Sequence, residues 1–109
     1  MTQIQLERDN EGYLVDPEAW NENVARGLAE EEGLQLDDNT LTVLKFMRDY
    51  WSQHRVAPDV RHVVSFLVDE QGYDKRRAKA HLFELFPYGY VKQACKIAGM
   101  LKPRAWSTG

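Results

Sequence analysis

Cys95 is the one cysteine among 109 residues, and so the only side chain able to do thiol or persulfide chemistry. The thiolate is the form that attacks a persulfide or disulfide sulfur, so a useful site needs a lowered pKa and an open approach. Lys92, three residues earlier on the same helical face, and the adjacent Lys96 both favour the thiolate. Two features oppose them. A helix over residues 90–98 sets Cys95 near its C-terminal end, where the dipole disfavours an anion. Val91 and Ala98, at i−4 and i+3, also draw it into an apolar stripe, the usual place for a free cysteine. A reactive thiol and a packed core residue both fit this spacing.

Other chemistries find little to work with. His54, His62 and His81 are scattered without paired ligand spacing, so neither a metal site nor a cofactor is expected. There is no glycine-rich phosphate loop and no Gly-x-Ser-x-Gly elbow. Glu30-Glu31-Glu32 and Asp37-Asp38 read as capping and solvated surface. The residues define no independent catalytic centre; the most they support is a carrier of the sulfurtransferase type.

A second constellation is basic. Arg61, Lys75, Arg76, Arg77 and Lys79, with His62, lie across two consecutive helices joined by a turn. Such a pair is helix-turn-helix-like, and its second helix would meet phosphates or base edges. An ordinary solvated face, or a docking face for an acidic protein, fits the same residues. Charge along the chain is uneven: residues 1–44 carry eleven acids against Arg8 and Arg26, and residues 45–109 carry twelve Lys and Arg against six acids. That split suits either an anionic partner or attraction between the two halves of one fold.

The elements that must position these groups are mostly helices. Asp9-Asn-Glu-Gly12 is a turn signal between Ile4-Gln-Leu6 and Tyr13-Leu-Val15, which predicts a short N-terminal β-hairpin. Asp16-Pro17 predicts a helix start, with Trp20, Val24 and Leu28 as its apolar stripe and Gly33 as its stop. A second helix begins near Asp37-Asp38-Asn39; Leu41, Leu44, Met47 or Arg48, and Trp51 mark its inner side until Arg55-Val-Ala-Pro58 breaks it. A third spans about Pro58 to Glu70 and stops at Gly72. A fourth opens after its cap Asp74, and a short fifth runs from Tyr90 to Ala98.

The composition is that of a soluble globular chain, with one modest core in a single domain. No apolar run approaches the roughly 20 residues of a membrane span, and the opening residues are too polar for a signal peptide. A lone cysteine suits a reducing cytoplasm.

Several motifs, in order, carry a family resemblance. Glu11-Gly-Tyr-Leu14 with Trp20, Phe46-Met-Arg-Asp-Tyr-Trp51, Ala57-Pro-Asp-Val-Arg61, Leu85-Phe-Pro-Tyr-Gly89 and Lys92-Gln-Ala-Cys-Lys-Ile-Ala-Gly99 resemble the DsrC/TusE family of sulfur-relay proteins over nearly the full length. The resemblance implies a mainly α fold: a small orthogonal bundle of about five helices with the N-terminal hairpin over residues 1–99, then a mobile arm over 100–109. It implies sulfur trafficking in the cytoplasm among protein partners, either sulfur donors and acceptors or a sulfite reductase-like complex. The settings open to it are sulfur oxidation, sulfite reduction and tRNA thiolation. Lys92, Lys96, Lys102 and Trp106 become candidates for partner binding, Trp106 as an aromatic anchor on the arm.

Two departures separate this chain from the family pattern. Tyr90-Val91 stands where the family has proline-alanine, and Trp106 occupies the position of the family's penultimate, sulfur-carrying cysteine. The resemblance makes position 95 the resolving partner of that missing thiol, so an intramolecular disulfide is not expected. The principal expectation is a relay protein with Cys95 as its only thiol or persulfide site. The alternative is a non-carrying regulatory member that binds a protein or DNA through the basic face.

Overall fold

A computed structural model describes residues 6–101, the Val91 side chain excepted. Within them lie α1 (Glu22–Glu31), α2 (Asp38–His54), α3 (Val60–Gln71), α4 (Lys75–Leu85) and a π-helical segment, Tyr90–Cys95. The mainly helical bundle agrees with expectation.

The hairpin does not. Among the described residues it shrinks to one antiparallel bridge between Arg8 and Leu14. Two backbone bonds, Asp9 N to Tyr13 O and Val15 N to Glu7 O, cross between the segments, and Asp9 Oδ1 accepts the amides of Glu11 and Tyr13 at 2.9 and 3.0 Å. Ile4 and Gln5, which would have extended the pairing, lie outside the described residues. Tyr13 and Leu14 leave the turn straight into the core.

The first predicted helix also divides. Asp16 and Pro17 open only a three-residue 3₁₀ turn, Pro17–Ala19, and Trp20 follows with extended backbone, φ −74° and ψ 142°. The helix proper starts at Glu22, two residues after Trp20, capped by Asn21, whose Oδ1 accepts the Val24 amide at 2.9 Å. The break lets the Trp20 indole turn toward the far end of the chain, where it donates to Ile97 O at 2.8 Å.

The remaining helices begin where their caps sit. Asp37, Asp59 and Asp74 accept amides of Thr40, His62 and Arg77, each cap contributing about 1 kcal/mol. Val43, Leu44 and Met47 of α2, Val63 and Leu67 of α3, and Ala78 of α4 are fully buried; α3 packs against both α2 and α4. Phe86 closes the core below the turn that leads into the π-helical segment.

Candidate functional site

Cys95 is the last residue of the π-helical segment and is fully buried. The segment's winding explains its neighbour. An α-helix would place residues five apart about 140° from each other around the axis, whereas i→i+5 winding brings them to one face. Tyr90, five residues before Cys95, therefore lies against the thiol, and the two side chains are hydrogen-bonded. The Tyr90 hydroxyl also donates to Pro58 O, just before α3.

Burial pushes the Cys95 thiol up to about 12, and the Tyr90 contact relieves only part of that. Burial likewise holds the Tyr90 phenol above its ordinary range. Neither nearby lysine offsets the burial. Lys96, proposed from sequence as a partner-binding and thiolate-favouring cation, is turned inward: its ammonium lies 3.5 Å from Glu32 and over the Tyr13 ring. That pair is one place where the acidic and basic halves of the chain meet. Lys92 remains exposed. Gln93, wholly buried, donates to Glu32 at 3.2 Å and accepts the Tyr88 amide at 2.9 Å, so it ties α1 to the turn before Tyr90.

The C-terminal end of this last helix is fully partnered. Met100 N and Gly99 N bond back to Cys95 O and Lys96 O, and Ala98 N to Ala94 O. Two side chains from distant elements complete the set, Trp20 on Ile97 O and Arg48 on Ala98 O at 3.1 Å. The same guanidinium donates to Pro17 O at 2.8 Å and is flanked by the Trp20 and Trp51 rings. Carbonyls left over at a helix end need such partners when they are buried. Sequence reading did not assign a role to Arg48; the available signal was a charged residue on the inner side of α2.

Arg61, Lys75, Arg76, Arg77 and Lys79 are all exposed. The fold brings three of them, Arg61, Lys75 and Lys79, to the edge of a groove of about 590 Å³ between α3 and α4. Val60, Val64, Leu82, Phe83, Phe86 and Tyr90 form its apolar lining, so Tyr90 faces the groove and touches Cys95 as well. Arg76 and Arg77 stand outside it. Lys102 and Trp106 lie outside the described residues. Among the described residues no cluster of three His, Cys, Asp or Glu side chains could hold a metal, and no helix is long and apolar enough to cross a membrane.

Comparison with known proteins now bears on this arrangement. The sequence model of the family described as "DsrC like protein" matches residues 1–105. The sulfurtransferase TusE homolog of Haemophilus influenzae is 38% identical over 100 residues, covering 92% of this chain and 91% of that protein. Sulfurtransferase TusE of Escherichia coli K12 is 37% identical over 99 residues, covering 91% and 90%. In three dimensions the chain is similar to the oxidized gamma-subunit of dissimilatory sulfite reductase (DsrC) from Archaeoglobus fulgidus. That match has a TM-score of 0.80 and 31% identity over 94% of this chain and 92% of the other. A chain of dissimilatory sulfite reductase I (DsrI) matches with a TM-score of 0.78 and 27% identity, over 94% and 91%.

Proposed function

The chain belongs to the DsrC family and is a sulfur-relay protein that works with partners of sulfur metabolism; from that premise we propose that Cys95 is its sulfur-handling group and that Tyr90 keeps it latent. One observation carries the reading: Tyr90 is hydrogen-bonded to the buried, sole thiol and also lines a surface groove. A partner that displaces this ring removes the cover and admits water. Both changes lower the thiol's pKa toward its ordinary value.

In the relay step the Cys95 sulfur attacks the outer, sulfane sulfur of a partner's cysteine persulfide. A new S–S bond forms on Cys95 as the partner's S–S bond breaks, and the electron pair leaves on the partner's sulfur. The proton given up by Cys95 ends on that departing thiolate. Atoms and charge balance, with no outside oxidant or reductant. Donor and acceptor are proteins of the kind that the relatives' names describe, TusE-type sulfurtransferase chains or a sulfite reductase assembly. Exposed Lys92, with Lys102 and Trp106 beyond it, takes part in docking.

The test is intact mass after exposure to sodium polysulfide, for the natural chain, Tyr90→Ala and Cys95→Ser. Slow gain of sulfur by the natural chain, rapid gain by Tyr90→Ala and none by Cys95→Ser is the expected pattern. Two results overturn the proposal: sulfur that persists on Cys95→Ser, or none on a folded Tyr90→Ala whose thiol can be alkylated.

A further inference from the structure

We propose that the groove between α3 and α4 is a docking site for an acidic, hydrophobic peptide segment of a protein partner. This deepens the relay reading and rests on its premise that the chain works through protein partners. The groove's lining is apolar, and Phe83 at its surface is 63% exposed, an unusual position for so large an apolar ring. Among the described residues, every charged residue that lines it is a cation, Arg61, Lys75 or Lys79. An occupant must therefore combine apolar bulk with negative charge.

Three arguments select a peptide. The chain works with protein partners of sulfur metabolism, which can present such a segment. A volume of about 590 Å³ suits two or three apolar side chains, whereas a nucleic-acid backbone has no need of an apolar trench. The chain's own closing residues carry Lys102 and Arg104, the same sign as the rim, so charge disfavours them as occupant. The recognition resembles a hydrophobic anchor set in a pocket and steered by peripheral charge.

A random dodecapeptide display library, panned on the full chain and on two variants, tests this. One variant reverses the rim (Arg61→Glu, Lys75→Glu, Lys79→Glu), and the other is Phe83→Ser; all four positions are exposed, Arg61 giving up a surface pair with Asp59, and circular dichroism checks that each variant is folded. The expected result is enrichment of peptides rich in Asp and Glu around Leu, Phe or Trp. Synthetic copies should bind about tenfold more weakly to either variant. Four outcomes overturn the proposal: no enrichment, enrichment without acidic bias, binding that both variants retain, or rim-dependent binding of poly-uridine RNA or of dodecanoate in place of any peptide. Panning involves no thiol chemistry, so peptides can emerge whether or not Cys95 ever carries sulfur. Failure of either reading thus leaves the other measurable.

Discussion

Tyr90 and Cys95 share one face of a π-helical segment, and the hydroxyl that touches the thiol is anchored 32 residues away on Pro58 O. The thiol's partner is therefore itself held by a bond to the residue just before the cap of α3.

Removing only the hydroxyl separates anchoring from covering. Tyr90→Phe keeps the ring but leaves the Pro58 carbonyl without its partner, at about 1–3 kcal/mol. Tyr90→Ala also opens a cavity and should lose about 3–5 kcal/mol. Iodoacetamide labelling of Cys95 should be slow in the natural chain, modestly faster in Tyr90→Phe and at least about tenfold faster in Tyr90→Ala. Equal rates in all three would show that the ring does not guard the thiol.

Alkaline pH should destabilise the fold through the same thiol. With the pKa raised from 9.0 to about 12 on folding, the unfolded chain loses its proton first. This contribution is fully present below about pH 9 and falls as pH rises toward 12, by at most about 1.4 kcal/mol per pH unit. Tyr13, raised from 10.0 to about 12, adds to the loss only at the upper end of that window. Urea unfolding between about pH 8 and 10 should show a decline that Cys95→Ala makes shallower. A slope indifferent to that substitution would contradict the buried thiol.

Gly99 is irreplaceable on two counts. Its φ is +76°, and a Cβ there would stand 2.4 Å from Trp20 Cδ1. Gly99→Ala should cost about 2–4 kcal/mol, from left-handed backbone and the displaced indole together. Urea unfolding followed by tryptophan fluorescence would report both effects; a loss below about 0.5 kcal/mol would mean that the indole yields freely.

Arg48→Lys should be destabilising despite conserving charge. A guanidinium fork reaches Ala98 O and Pro17 O at once while lying between two indoles, which a single ammonium cannot reproduce. A loss of about 1–3 kcal/mol is expected, with faster amide exchange at Gly99 and Met100. Unchanged exchange there would dissociate Arg48 from the end of the last helix.

Local signals in the sequence were enough to place the three helices from Asp38 to Leu85. Capping works over three residues and the apolar stripe over three or four, so Asp74 before α4 and Leu44 with Met47 inside α2 are readable without a fold. The ordered motifs ending in Lys92-Gln-Ala-Cys95 were likewise legible, and with them the family and the relay function. Tertiary structure decided what the thiol experiences. Trp20 left its predicted helix to reach Ile97, 77 residues on, and Arg48 left its apolar stripe to cap Ala98, 50 residues on. The predicted hairpin reduced to one bridge, with the Asp9 side chain holding the turn through the Glu11 and Tyr13 amides. Tyr90 meets Cys95 because the last helix winds i→i+5 there. Such long-range hydrogen bonds satisfy buried groups that no sequence window contains.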